Sequence, residues 1–194
     1  MHKSESVVSG LYPIFLHLKD RTVLVVGAGE VAHHKIRGLL DAGARVRVVA
    51  PTGVDAIAAL AQIGQIQWDA RPFCESDVFE AWLVIAATSD SAVQKLVSTA
   101  AAAHRVFVIA VDDPTHASAF SGSVVSRPPL TIAISSSGDA PALSRLLREI
   151  IEQILPNDDW IDHAKRLRSE WRRDHVPMGE RFAGLVREFK NRQA

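Results

Sequence analysis

Between Val23 and Pro51 the chain reads VLVVGAGEVAHHKIRGLLDAGARVRVVAP: an apolar run, a glycine pair, a stretch with helical spacing, another glycine and a second apolar run. This order leaves few folds open. Valine-rich runs that are apolar on both faces belong to strands covered on both sides, and a helix between two of them makes the crossover that joins parallel neighbours. The same grammar repeats through VDAIAALAQIG (54–64), IQWDA (66–70), AWLVIAATSD (81–90), AVQKLVSTAAAAHR (92–105) and VFVIAVDDP (106–114). A doubly wound parallel sheet is predicted. Thr88 and Asp112 should stand at strand ends on the same carboxyl edge as the glycine pair, where open α/β sheets hold ligands.

After Pro114 the pattern changes. SGSVV (121–125) and LTIAIS (130–135) alternate apolar and small polar residues, as half-buried antiparallel strands do. The loop SSSGDAP then feeds a helix whose Leu143, Leu146, Leu147, Ile150, Ile151 and Ile154 recur at spacings of three and four. Two further amphipathic helices follow, marked by Trp160, Ala164, Leu167 and Trp171 and, beyond HVPMG, by Phe182, Leu185, Val186 and Phe189. These late helices need an apolar partner, either a second subunit or the first domain. Three parts are expected: residues 1–114, 115–155 and 156–194.

Charge excludes some partners. Lysine plus arginine and aspartate plus glutamate number 22 each, so no overall field draws nucleic acid or an anionic membrane. The single cysteine, Cys74, has no internal disulfide partner and no zinc-ligand spacing around it, which fits a reducing compartment. No run approaches the roughly 20 apolar residues of a membrane span, and MHKSESVVSGLYPIFLHLKD lacks a leader's apolar core. A cytoplasmic protein is expected.

GAGEVA, Gly27 to Ala32, has the form G-x-G-x-x-A at a strand-to-helix turn. Gly27 permits the tight turn, Gly29 lets a pyrophosphate approach the backbone, Ala32 lets helix and strand pack closely, and the amides opening the helix bind phosphate. The bland alternative is a glycine turn that only joins strand to helix. A carboxylate for the adenosine ribose is expected roughly 20 residues further on, yet the second strand ends VVAPT, with no acid before Asp55. Arg45 and Arg47 lie at the start and middle of that strand, poorly placed for a 2′-phosphate. NAD and NADP therefore both stay open at this point, and backbone around Pro51 and Thr52 would have to hold the ribose.

Taken in order, YPIFLHLKDRTVLVVGAGEVAHHKIRGLLDAGARVRVVAP, LVIAATSD, VDDP, RPPLTIAISSSGDAPALSRLLREIIE and PMGER resemble the siroheme synthase dehydrogenase and chelatase module, the precorrin-2 dehydrogenase / sirohydrochlorin ferrochelatase family. The resemblance runs from Tyr12 to about Arg181. It implies an α/β fold with a Rossmann-like doubly wound sheet, then a small α+β dimerisation unit around residues 115–150, then a C-terminal helical domain. It further implies NAD as cofactor, a homodimer, oxidation of precorrin-2 to sirohydrochlorin and, in many members, insertion of Fe2+ to give siroheme. The family's catalytic aspartate falls on Asp112, its cofactor contacts on Glu30, Val31, Pro51 and Thr52, and a serine phosphorylated in some members on Ser136. Departures are Ile109 for a usual asparagine, Ala-Phe-Ser-Gly at 119–122 for Phe-Ile-x-Pro, Ser136-Ser137-Gly138 for Ser-Gly-Gly, and His34 for a frequent arginine.

The residue types suit that chemistry. Removing a hydride and a proton from a reduced tetrapyrrole needs an oriented nicotinamide and a base. Asp112 is the best placed carboxylate, and partial burial should bring its pKa toward neutrality. Metal insertion removes pyrrole protons, which one carboxylate could also accept, so no metal-ligand set is assigned. His33 and His34 point different ways on a helix and read as surface residues. The polycarboxylate substrate should meet Arg127, Arg145, Arg148, Ser136 and His116. Against this, the arginines are equally explained as partners of Glu149 and Glu152, and Asp113 as a turn residue. In SSSGDAP, the serines and glycine before the helix are expected to bind an anion and Asp139 to cap the helix. Chelatase action alone, or a non-catalytic module that binds NAD(H) or a tetrapyrrole, are the alternatives.

Overall fold

A computed structural model describes residues 10–155 and 158–193. Residues 1–9, part of the stretch read above for a leader, lie outside the described residues. By internal contacts the chain forms two compact units, Met1–Ser121 and Gly122–Ala194.

The first unit alternates β1 (Thr22–Val26), α1 (Glu30–Asp41), β2 (Arg45–Val49), α2 (Asp55–Gln62), β3 (Gln67–Asp69), β4 (Leu83–Ala86), α3 (Ser91–Ala103) and β5 (Phe107–Ala110). The five strands are all parallel and lie in the order β3-β2-β1-β4-β5. Because side chains alternate along a strand, β1 supplies both layers of the core. Val23 and Val25 join Ile36, Val48 and Ile57 of α1, β2 and α2 on one face, while Leu24 and Val26 join Val84, Val97, Ala101 and Val108 of β4, α3 and β5 on the other. This is the expected doubly wound, Rossmann-like sheet, with its topological switch between β1 and β4.

The strands β4 and β5 stop two residues short of the expected ends at Thr88 and Asp112. Asp112 takes a left-handed φ of 58°, which cannot continue a pleated strand. At the other end the chain turns over Thr88, whose hydroxyl accepts from the Asp90 amide, and the Asp90 carboxylate accepts from Ala92 and Val93 to cap α3.

The second unit holds the antiparallel pair β6 (Ser123–Arg127) and β7 (Leu130–Ile134), then α4 (Pro141–Ile154), α5 (Asp158–Arg173) and α6 (Met178–Gln193). α4 packs on β6 and β7 with Ser144 buried, and this leaves Leu143, Leu146, Ile150 and Ile154 of its apolar stripe exposed. The partner of α5 is α6: the rings of Trp160 and Phe189 lie 4.8 Å apart, and the missing side chain of Gly184 makes room for Trp171. Asp139 does not cap α4. Pro141 occupies the first turn, so the cap position falls on Ala140, and the Ser136 hydroxyl accepts from the Ala140 amide instead. Among the described residues no helix is long and apolar enough to cross a membrane.

Candidate functional site

The turn after β1 is built around Gly27. Its φ is +109°, and a Cβ there would stand 2.2 Å from the Ala87 carbonyl oxygen at the end of β4, so no other residue fits. Gly27 N donates to Val49 O, which fixes the turn against β2 as well. Gly29 is the opposite case: nothing lies within 4 Å of where its Cβ would be, and no side chain caps α1. An uncapped helix start with an open approach leaves amide donors for an anion, so these residues fit the pyrophosphate of a dinucleotide.

A cavity of about 540 Å³ opens here, lined by Gly29, Glu30 and Val31 from α1, by Ala87, Thr88 and Ser89 after β4, and by Val111, Asp112 and Asp113 after β5. That volume lies within the usual range for a ligand site. Three strand ends thus converge at the switch point, as the sequence predicts. Pro51 and Thr52 are exposed on the loop after β2, and Val54 at the end of that loop donates to Ala28 O, which holds the loop beside the glycine turn. Arg47 is committed elsewhere: with Arg71 it embraces Asp69 and the buried Asp77.

Asp112 lines the cavity but is exposed, so the expected partial burial of this carboxylate is not met. The left-handed turn lifts it off the sheet edge, away from the apolar layers. The sequence reading missed what faces it. Lys35, half-buried on α1, donates from Nζ to Ser121 Oγ at 2.8 Å; burial depresses its ammonium below the usual lysine range, while the Asp112 carboxylate nearby pulls the other way. The signal was present, since Lys35 follows Val31 by four residues and therefore shares its helix face. Gln94 was also missed. It is buried at 6 % exposure, lines the cavity and donates from Nε2 to Thr88 O and Val111 O.

The remaining candidates stand apart from this cleft. His116 does not line it: the ring is held by Asp113, Nδ1 to Oδ2 at 2.6 Å, and borders a different hollow beside Ser98 and Phe107. Asp113 is a turn residue, kept below the ordinary carboxylate range by the Thr115 hydroxyl and by His116. In the second unit Arg127 donates to Glu152 O, Arg145 pairs with Glu149, and Arg148 pairs with Glu149 and Glu152, the local pairing that was weighed against substrate binding. A hollow of about 580 Å³ beside Trp160, Leu185 and Phe189 is lined by apolar and basic residues with no acid. Among the described residues no group of three or more His, Cys, Asp or Glu side chains is arranged to hold a metal ion.

Comparison with known proteins agrees with this geometry. The family described as "Putative NAD(P)-binding" matches residues 14–123, more than half of the chain. The chain belongs to this family. A second match, "Sirohaem biosynthesis protein central", covers residues 127–154. Curated relatives include the siroheme synthases of Escherichia coli O17:K52:H18, 44% identical over 181 residues, and of Salmonella arizonae, 43% identical over 181 residues. In both cases 92% of this chain is aligned, and it spans 40% of the relative's length. Among solved structures, SirC, a precorrin-2 dehydrogenase, superposes with a TM-score of 0.73 at 27% identity, over 91% of this chain and 88% of that one. The resemblance read from the sequence thus holds along both units.

Proposed function

We propose that this chain is a cytoplasmic, NAD-dependent precorrin-2 dehydrogenase that forms sirohydrochlorin in siroheme biosynthesis and works as a homodimer. The observation that carries the reading is the shared cleft: Asp112 and the uncapped, glycine-opened start of α1 line one cavity. The names of the relatives and of the structural neighbour, siroheme synthase and precorrin-2 dehydrogenase, supply the substrate class.

NAD, when bound, supplies the hydride acceptor. The backbone of Gly29, Glu30 and Val31 would hold its pyrophosphate, with Gly27 keeping the turn tight. Pro51 and Thr52 would hold the adenosine ribose, and Thr88 with the turn after β5 would hold the nicotinamide end. With Arg47 and Arg71 both engaged by Asp69 and Asp77, neither guanidinium is free for a 2′-phosphate, which supports NAD over NADP. As precorrin-2 gives up a hydride, Asp112 takes the accompanying proton on its carboxylate. Lys35, held by Ser121 on the same side of the cleft, offers a donor to a substrate carboxylate, and a flat macrocycle over the cleft excludes water from the site. Arg145, whose side chain is 76% exposed, is the arginine best able to exchange its glutamate for a substrate carboxylate, with Ser136 before the start of the same helix, Arg148 about a turn further along it and Arg127 near its far end.

Insertion of Fe2+ is a second step open to the same carboxylate, because it too releases protons, here from pyrrole nitrogens. In this reading the macrocycle, rather than a protein cage, receives the ion. The homodimer is supported by the exposed apolar stripe of α4. The deciding experiment gives the full chain precorrin-2 and NAD and follows sirohydrochlorin absorbance, with Asp112→Asn alongside. The substitution should lower kcat by about 100-fold or more, the scale of a lost general base. Full turnover by Asp112→Asn would remove Asp112 from the reaction. Metal insertion without NAD binding would leave a chelatase alone, and ligand binding without turnover a sensing module.

A further inference from the structure

Gln94 sits on the face of α3 that also buries Val97 and Ala101, where an apolar side chain would ordinarily stand. Its Nε2 has two hydrogens and uses both, one to Thr88 O at 2.8 Å and one to Val111 O at 3.0 Å. That fixes which end of the amide is which, because only the NH2 group can donate to two carbonyls. Oε1 is left sealed from solvent with no hydrogen-bond partner among the described residues. An unpaired buried acceptor is unfavourable, so a side chain that carries one needs a compensating role.

The two carbonyls identify that role. They belong to the turns after β4 and β5 that form one wall of the cleft, beyond the point where strand pairing ends. Val111 O lies on the peptide group that enters Asp112. The preceding peptide is already tied down through Val111 N to Ala86 O, so the two bonds together determine the left-handed backbone at Asp112, which no sheet or helix would hold.

We propose that Gln94 is a positioning residue: its buried amide clamps the two strand-end turns together and thereby sets where the Asp112 carboxylate stands over the cleft. The proposal rests on the dehydrogenase reading for its catalytic consequence, and on backbone geometry alone for the clamp.

Two variants of the full chain test it. Gln94→Met fills the same space without a donor; Gln94→Glu keeps the shape, cannot donate when ionised and regains one donor when protonated. In the ligand-free chain, amide exchange at Ser89 and at Val111 to Asp113 should quicken about tenfold in Gln94→Met while exchange in β1 stays unchanged, the signature of local opening. With precorrin-2 and NAD, kcat should fall about tenfold with KM for NAD within about threefold, since transition-state placement is lost and cofactor binding is not. Gln94→Glu should share both defects at pH 8 and recover toward pH 5, whereas Gln94→Met should not recover. Unchanged exchange at these amides in both variants overturns the clamp, and so does a KM effect with kcat intact. If the unaltered chain turned over no precorrin-2, the dehydrogenase reading would fall while the exchange measurement still decided the clamp.

Discussion

The two units bury their apolar residues to very different extents. In the first, Val23, Val25, Val48, Ile57, Val84 and Val97 are wholly sealed between sheet and helices, whereas in the second Val125 is the only hydrophobic residue that reaches the same state among the described residues. There Leu143 and Leu146 are each 52% exposed and Ile154 72%. A sheet covered on both faces completes its core within one chain; a two-stranded ribbon with one helix on it cannot, and needs more apolar surface brought to it. The cleft therefore stands on a self-sufficient frame, while the second unit leaves open the apolar surface on which the proposed dimer rests. The first unit also exposes apolar side chains, but at its periphery: Leu11, Tyr12, Ile14, Phe15 and Leu16 before β1, and Ile63, Phe79, Trp82 and Phe107 elsewhere.

Two glycines give the sharpest way to break this comparison, because they are equally crowded. A Cβ on Gly122 would lie 2.2 Å from Ile134 O, the same approach as that of Gly27 to Ala87 O. Gly27→Ala should cost about 4 kcal/mol or more, combining a backbone clash with a disfavoured φ, and should abolish NAD binding measured by calorimetric titration. Gly122→Ala should loosen the second unit, shift the dimer to monomer in sedimentation velocity, and leave NAD affinity within about twofold, since additivity holds between independent sites. Loss of NAD binding in Gly122→Ala would show that the cleft is not self-sufficient after all.

A smaller effect is expected from the α4 stripe. Leu146→Asp puts a charge on the proposed dimer surface and should weaken self-association by about 3 kcal/mol, the scale of a central interface residue. Sedimentation across a concentration series reads this directly. Because Leu146 is already half exposed in the single chain, the thermal stability of the monomer should hardly change. An unaltered dimer would assign the stripe to something other than a second copy.

The same division governs what was legible beforehand. Period and punctuation sufficed for the parallel sheet, because its central strands β1 and β4 are apolar on both faces and every helix ends near a glycine or a polar cluster. Gly27, Gly29, Thr88 and Asp112 followed from that topology, since parallel strands must end on one edge. The helix pairs Arg145–Glu149 and Arg148–Glu152 were legible from a spacing of four. Contacts between distant segments were not: Lys35 reaches Ser121, 86 positions away, and nothing local in HHKIRG announces it. Gln94 was readable in part, since Val97 and Ala101 place it on the buried face of its helix, but its two carbonyl partners depend on how far β4 and β5 run. The burial of Asp112 was misjudged because a strand-end position says nothing about a left-handed turn.

A cluster of the same unreadable kind supplies the smallest prediction. Arg47 comes from β2, Asp69 from β3, and Arg71 and Asp77 from the segment after it. The Asp77 side chain is 2% exposed; burial pushes its pKa up, but the Arg71 hydrogen bond, the Cys74 amide and thiol and the Arg71 charge together hold it well below the ordinary carboxylate range. A folded-state value below the unfolded one means that stability is fully present above about pH 4 and drains away as the pH falls through the folded value. Asp77→Asn should therefore lower the unfolding free energy by about 2 kcal/mol at pH 7, a modest figure because both guanidinium partners stay partly in water. Denaturant melts at pH 7, 4 and 3 should show native and variant converging as acid is added, with self-association through the second unit unchanged at every pH. A gap that stayed constant from pH 7 to pH 3 would mean that the loss came from packing around residue 77 and not from its charge.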